Sequence, residues 1–216
     1  MTNLYSYNVG FSQIDPKKVL IELIYLSMQK LLQEISSCRV CESFLLTGCR
    51  PVIQASKKSK IAIIGQAPGR KVHESGIPWD DKSGDNLRAW LGVSKEIFYD
   101  PDIFALVPMG FCYPGTGKSG DLPPRPECAP LWHQKLWDFM PDIKLTLLFG
   151  QYAQKHYLGK STKKTLTETV KNYKAYLPEY LPLPHPSPRN NIWMKKNEWF
   201  AEEIIPELRK VVTYVL

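Results

Sequence analysis

Short apolar runs alternate with amphipathic segments along most of the chain. Four runs are short and apolar enough to predict buried strands: KIAIIG (60–65), IFALVPM (103–109), KLTLLFG (144–150) and YLPLPHP (180–186). Apolar residues at helical spacing predict helices in DNLRAWLG (85–92), CAPLWHQKLWDFM (128–140), GQYAQKHYLG (150–159), TLTETVKNYKAYL (165–177) and NEWFAEEIIPELRKVVTYVL (197–216). This alternation predicts a three-layer α/β/α fold around a central, mostly parallel, four-stranded sheet.

Both ends of the chain are predicted to be helical. Near the N-terminus the pattern predicts a helix over about 16–35, with Asp15 as its N-cap and Pro16 in its first position. Pro206 predicts a kink in the C-terminal helix. The 216 residues contain no convincing linker or repeat. They are therefore expected to form one domain over 1–216, with the N-terminal helix packed on its core.

Polar loops follow all four predicted strands. These loops are GQAPG (65–69), GFCYPGTGKSGD (110–121), GQYA (150–153) and HPSPRNN (185–191). Because the carboxyl ends of parallel strands meet at one edge of the sheet, the four loops predict a ligand site there. The GTGKS segment is not a phosphate-binding P-loop, since the glycine required five residues before Gly117 is replaced by Cys112.

The segment after the first strand is rich in candidate chemistry. Trp79 follows a proline in a non-helical segment and is either a stacking platform or a core aromatic residue. Asp80, Asp81 and Asp85 supply carboxylates that could activate or orient water. Asp85 is expected to cap the helix that follows it instead.

The last polar loop is stiffened by two prolines within it, at 186 and 188, and by a third directly before it, at 184. It presents the imidazole of His185, the hydroxyl of Ser187 and the guanidinium of Arg189 on a rigid segment. An ordinary surface turn is the alternative interpretation of this stretch alone.

Charge and cysteine content narrow the function classes. The net charge of +7 favours a polyanionic partner such as nucleic acid. The chain shows no apolar run of membrane-spanning length and no signal-peptide pattern, which predicts a cytoplasmic protein without membrane contact. In a reducing compartment the five cysteines are not expected to form disulfides. The pairs Cys38/Cys41 and Cys112/Cys128 could instead hold zinc or an iron–sulfur cluster, with Cys49 in a structural role.

Several of these motifs together resemble one protein family. GQAPG and HPSPRN are similar to the two signature loops of the uracil-DNA glycosylase superfamily. GIPW followed by SGD resembles the uracil-stacking segment of its iron–sulfur branch, called family 4. The two cysteine pairs match the cluster ligands of that branch in order and closely in spacing, and the resemblance extends from Ser37 to Trp199.

The resemblance implies a base-excision-repair hydrolase that flips a damaged base out of DNA and cleaves its N-glycosidic bond. Trp79 would stack on the base, and His185 would stabilise charge on the departing base. The implied pocket lining is Gly65, Gln66, Ala67, Pro68 and Gly69. The implied DNA contacts are Ser187 to a phosphate, Arg189 in the gap left by the flipped nucleotide, and Asn190 beside it. The implied cofactor is a 4Fe–4S cluster on Cys38, Cys41, Cys112 and Cys128, with zinc as the alternative.

Three departures from the family pattern affect the expected activity. Ala67 replaces an acid or amide, Gln66 replaces the glutamate usual in family 4, and Pro108 replaces the asparagine that reads uracil. Asp81 resembles the aspartate of a sister branch and is the first catalytic candidate, followed by Asp80. We therefore expect a monomeric glycosylase acting on uracil or another deaminated or damaged base. The alternative is a non-catalytic lesion-binding or redox-sensing DNA-binding protein on the same scaffold.

Overall fold

The computed structural model describes residues 27–118 and 120–216. The first described element, helix α1, covers residues 27–36, and Cys38 lies two residues after its end. The predicted beginning of this helix, with Asp15 and Pro16, lies outside the described residues.

The described strands form one parallel sheet and one small hairpin. The strands are β1 (Ile61–Ile64), β2 (Phe104–Leu106), β3 (Thr116–Gly117), β4 (Gly120–Asp121), β5 (Leu145–Phe149) and β6 (Tyr180–Leu183). The sheet has the order β2-β1-β5-β6 with every neighbouring pair parallel, and β3 and β4 pair in antiparallel fashion. Ile61 of β1 lies opposite Phe104 on one side and Leu145 on the other. The four predicted strands are confirmed.

Helices surround the sheet. The α-helices after α1 are α2 (Arg70–Ser75), α3 (Lys82–Leu91), α4 (Lys95–Phe98), α5 (Cys128–Asp138), α6 (Gly150–Leu158), α7 (Leu166–Lys171), α8 (Asn191–Lys196) and α9 (Ile205–Val215). Short 3-10 turns cover Glu42–Phe44, Gly159–Ser161, Tyr173–Ala175 and Pro188–Asn190. The interruption predicted near Pro206 takes the form of a π-helical turn over Phe200–Ile204, directly before α9. None of the helices among the described residues has the length and apolar character needed to cross a bilayer.

Successive residues of β1 belong to two different hydrophobic clusters. Ala62 and Ile64 pack in one cluster with residues of α1 and α5, whereas Ile61 and Ile63 pack in the other with residues of α3 and α9. Since neighbouring side chains of a strand point to opposite faces, helices cover both faces of the sheet. This confirms the three-layer α/β/α fold.

Two local predictions were wrong. Helix α3 begins earlier than expected, because Asp81 is its N-cap and accepts a hydrogen bond from the Gly84 amide at 2.9 Å. Asp85 instead lies in the first turn and pairs with Arg88 at 2.7 Å. The predicted loop GQYA is the first turn of α6, so its side chains are taken up by the helix and do not line the cavity described below.

Candidate active site

A cavity of about 470 Å³ lies beyond the carboxyl ends of β1, β2 and β6. Its lining includes Gly65, Gln66, Ala67, Pro68, Gly69, Trp79, Asp81, His185, Ser187, Arg189 and Asn190 among the residues singled out from the sequence. Val52, Val72, Pro78, Ser83, Pro108, Gly120 and Asp121 complete the lining. The edge of the sheet at which the sequence predicts a site therefore carries a cavity, whose volume lies in the range of small-molecule pockets.

Trp79 forms one wall of this cavity and is held there in an unusual backbone conformation. Its φ of 58° lies in the left-handed region, which costs a residue with a side chain about 1–2 kcal/mol. The hydroxyl of Tyr99 donates to the carbonyl of Pro78 at 2.9 Å and supports the turn. A Cβ on residue 65 would lie 2.8 Å from the indole, so glycine is required there for the ring to reach the loop. Such strain at a cavity wall is typical of a functional position.

The rings of Trp79 and His185 stack, with centroids 5.5 Å apart and planes 28° from parallel. The edge of Trp79 also contacts Phe149 at the end of β5, with a centroid distance of 6.0 Å. Trp79 therefore packs against the core with its edge and offers an aromatic face for stacking to the cavity. One face of the pocket is aromatic, and the imidazole is fixed against it.

The loop that carries His185 is braced by two amides. Asn86 of α3 donates to the carbonyl of Pro186 at 2.8 Å, and Asn190 donates to the carbonyl of His185 at 2.7 Å. The Ser187 hydroxyl accepts from the amide of Arg189 at 3.3 Å and caps the following 3-10 turn. These bonds and the prolines set the position of His185 without any bound ligand.

Removal from solvent lowers the pKa of His185 to about 4, although the nearby Asp81 carboxylate acts in the opposite direction. The imidazole is therefore neutral at pH 7. No side chain among the described residues donates to or accepts from its ring nitrogens. A neutral imidazole held in a fixed position can donate a hydrogen bond to an oxygen that develops negative charge.

Of the two catalytic aspartate candidates, the structure brings only Asp81 into the cavity lining. Its Oδ1 caps α3, and its Oδ2 lies 3.8 Å from the position that a Cβ on residue 69 would take. Asp80 does not line the cavity. Burial raises the pKa of the nearby Tyr99 phenol, Asp80 and Asp81 both add to the increase, and Arg88 opposes it.

Pro108, at the base of the cavity, is anchored from behind by a buried relay that the sequence did not reveal. The Nε2–H of His133 donates to the Pro108 carbonyl at 3.1 Å, and the Tyr157 hydroxyl donates to Nδ1 of His133 at 2.6 Å. His133 is 3% exposed. Burial lowers its pKa to about 4. Position 108 thus presents no side-chain amide to the cavity, and its backbone carbonyl already accepts a hydrogen bond.

The two depressed imidazole pKa values predict a pH-dependent stability. Both lie at about 4 against an ordinary value of 6.5, so between these pH values the unfolded chain binds more protons than the folded one. Stability that is complete above pH 6.5 should therefore fall as the pH falls toward 4. For His133 alone the loss is about 3 kcal/mol, since one pKa unit corresponds to about 1.36 kcal/mol.

Thermal unfolding at pH 7 and pH 4.5 would test this expectation. The variant His133→Gln should be less stable at pH 7 but should lose less stability on acidification than the wild type. Comparing the two proteins removes acid effects that they share. An equal loss in both would contradict the assigned role of His133.

A second, smaller pocket brings all five cysteines together. It lies between the end of α1, the loop after β2 and the start of α5, and its lining includes Cys38, Cys41, Cys49, Cys112, Cys128, Phe111, Arg125 and Trp132. The two predicted pairs therefore do converge. The presence of Cys49 beside them was not predicted.

Three of the thiols in this pocket, those of Cys41, Cys112 and Cys128, are buried, and those of Cys38 and Cys49 are partly exposed. Burial raises the pKa of Cys112 to about 12 and that of Cys128 to about 11. The amide of Phe111 donates to the Cys128 sulfur at 3.5 Å, and Arg125 lies over the Phe44 ring, 4.0 Å from its centroid. Within the described ranges, no three histidine, cysteine or acidic side chains are arranged to hold a single metal ion.

The fold and the cavity agree with two sequence comparisons. A family model described as the uracil DNA glycosylase superfamily matches residues 53–209. The chain is also 23% identical over 155 residues to a type-4 uracil-DNA glycosylase from Sulfurisphaera tokodaii, a match that covers 71% of this chain and 68% of that protein. The matched region contains both signature loops, the Trp79 segment and Cys112/Cys128. The chain therefore belongs to the uracil-DNA glycosylase superfamily.

Proposed function

We propose that this protein is a monofunctional DNA glycosylase that hydrolyses the N-glycosidic bond of uracil or another deaminated or damaged base. The observation that carries the proposal is the neutral imidazole of His185, stacked on Trp79 in the cavity that Asp81 also lines. Family membership supports a glycosylase in general. The choice of base depends on the residues that differ from the family pattern.

In the proposed reaction the flipped base enters the cavity and stacks on Trp79. Water attacks the sugar carbon C1′ and gives one proton to a carboxylate that lines the cavity, the bond from C1′ to the base nitrogen breaks, and the base leaves with the electron pair. The His185 N–H donates to a carbonyl oxygen of the base and stabilises the negative charge that develops there. Asp81 orients the water through Oδ2, since Oδ1 is already engaged in capping α3.

The rim of the cavity is suited to hold the DNA backbone. Ser187, Arg189 and Asn190 lie on one braced loop at this rim, and the chain carries a net charge of +7. We assign Ser187 to a phosphate and Arg189 to the space left by the flipped nucleotide, with Asn190 also holding the loop. A rigid loop reduces the entropy lost when the protein displaces a base from the stack.

We propose a 4Fe–4S cluster held by Cys38, Cys41, Cys112 and Cys128. The convergence of these thiols in one shielded pocket supports the donor set, because buried thiols become thiolates when a metal centre supplies positive charge. The cluster would join α1, the loop after β2 and α5, and it takes no part in the hydrolysis. Zinc is the alternative occupant.

Single-turnover assays on DNA containing uracil, hypoxanthine, xanthine or oxidised bases would test the proposed activity. We expect release of at least one base, and weak activity on uracil because Pro108 provides no side-chain amide. Trp79→Ala should weaken binding to the substrate DNA by about 10–100-fold, since stacking on an aromatic side chain contributes about 1–3 kcal/mol per base.

Trp90→Ala is a suitable control for loss of an aromatic residue, since Trp90 contacts Phe200 on the other side of α3 and does not line the cavity. Tight lesion binding without release of any base would favour the non-catalytic alternative. A monomeric state and a cytoplasmic location stay predictions.

A further inference from the structure

A second carboxylate lies at the candidate active site. Asp121, the last residue of β4, lines the same cavity as Asp81. The position that a Cβ on residue 69 would take is 3.5 Å from Oδ2 of Asp121 and 3.8 Å from Oδ2 of Asp81. Gly69 leaves this position empty. The two carboxylates therefore face a shared space that opens into the cavity, next to the loop that follows β1.

The side chain of Gln66 anchors the segment that carries Asp121. Its Nε2 donates to the carbonyl of Leu122 at 3.1 Å, and the amide of Leu122 donates to the carbonyl of Gly115 at 2.9 Å. Gln66 contributes no carboxylate of its own. Instead, its amide holds the hairpin exit against the cavity, so the position of Asp121 depends on residue 66.

The two carboxylates differ in how much of their hydrogen-bonding capacity is in use. Asp81 accepts from the Gly84 amide at 2.9 Å, which reserves one of its oxygens for α3. Asp121 accepts no hydrogen bond from the part of the chain that the structure describes. Both of its oxygens are thus available to a water molecule or to its proton.

We propose that Asp121 is a second catalytic residue that holds the attacking water together with Asp81 and accepts its proton. The water oxygen forms a bond to C1′, the bond between C1′ and the base breaks, and the base leaves with the electron pair. One proton of the water passes to the Asp121 carboxylate. This inference rests on the glycosylase activity proposed above and assigns that reaction's general base.

Single-turnover cleavage by Asp121→Asn would test the assignment on whichever base the wild type releases. We expect the rate to fall by about 10²-fold or more, the usual contribution of a general base. Affinity for the substrate DNA should be unchanged or higher, because a negative charge is removed near the DNA. Asp121→Glu should retain part of the rate. Sodium formate should partly restore the cleavage rate of Asp121→Ala. A purely structural role of Asp121 would not explain such a rescue.

Asp142→Asn is the matched control, because it removes the same charge from an exposed residue before β5, at the opposite edge of the sheet. It should keep the wild-type rate. Gln66→Leu should lower the rate as well. Its effect should not add to that of Asp121→Asn, because both changes remove the action of the Asp121 carboxylate, one by displacing it and the other by neutralising it.

The outcomes separate this inference from the proposed function. Base release by the wild type that persists in Asp121→Asn would overturn the role of Asp121 and leave the glycosylase intact. Loss of rate together with a lower melting temperature and no rescue by formate would also overturn it, since Asp121 would then be structural. No base release by the wild type on any substrate would overturn both proposals.

Discussion

Replacing His185 by asparagine should lower the single-turnover rate of base release by about 10²–10³-fold, the range expected when one preorganised donor to a developing oxyanion is removed. The effect should be large because both the ring and the backbone of His185 are held in place. The imidazole stacks on Trp79, the backbone carbonyl of His185 accepts from Asn190, and the carbonyl of Pro186 accepts from Asn86. Affinity for the substrate DNA should change less than the rate, since the donor acts mainly on charge that develops during bond cleavage.

His73→Gln is the control for this experiment, because His73 lies on α2 and does not line the cavity. The wild-type rate should also show no acid limb near pH 6.5 caused by His185, since the pKa of this imidazole is about 4. Equal rates for wild type and His185→Asn would contradict the assigned role. A wild-type limb near pH 6.5 that the variant lacks would show that the imidazole titrates like an exposed histidine.

Replacing Cys112 by serine should abolish the proposed metal centre and destabilise the protein. The pocket joins segments far apart in the chain, and Cys112 contributes to it from the loop after β2, which also carries Pro108 at the base of the cavity. Loss of a bound metal is among the changes that can lower the free energy of unfolding by more than about 4 kcal/mol. For a chain of this size that corresponds to a melting temperature lower by about 10 °C.

Iron, sulfide and zinc analysis of anaerobically purified protein would measure the loss directly. We expect about four iron atoms per wild-type chain, as for a 4Fe–4S cluster, and little iron in soluble Cys112→Ser. Cys49→Ser is the matched control and should keep its iron, although Cys49 lines the same pocket. Stoichiometric zinc would show the alternative occupant. Loss of iron in Cys49→Ser with retention in Cys112→Ser would show that the ligand set is wrong.

The strands of the central sheet could be predicted because their signal is local. β1 is entirely buried, since helices cover both faces of the sheet, and a strand in that environment is a continuous apolar run in the sequence. The hairpin of β3 and β4 was not predicted, because strands of two residues are too short to show periodicity. Helix α2 has six residues and is also almost too short to show a periodic pattern of apolar residues.

The local sequence alone could not decide whether Asp81 or Asp85 caps α3. The two residues lie one turn apart, and either could cap a helix. The choice depends on the path of the preceding chain, because the carbonyl of Trp79 packs directly on Gly84. A Cβ on residue 84 would lie 1.7 Å from that oxygen. The helix therefore starts at Lys82, and the capping carboxylate is the one that faces the cavity.

By itself, the sequence determined the four strands of the central sheet and their alternation with helices, the edge of the sheet that carries the cavity, and the two loops that resemble the family's signature loops. Those properties depend on residue type and spacing within short segments. Only the tertiary structure decided that Gln66 holds the hairpin, that Asp121 lies beside Asp81, and that Cys49 joins the other four cysteines. These contacts join residues distant in the chain, so they are set by how the elements pack and leave no periodic signal in the sequence.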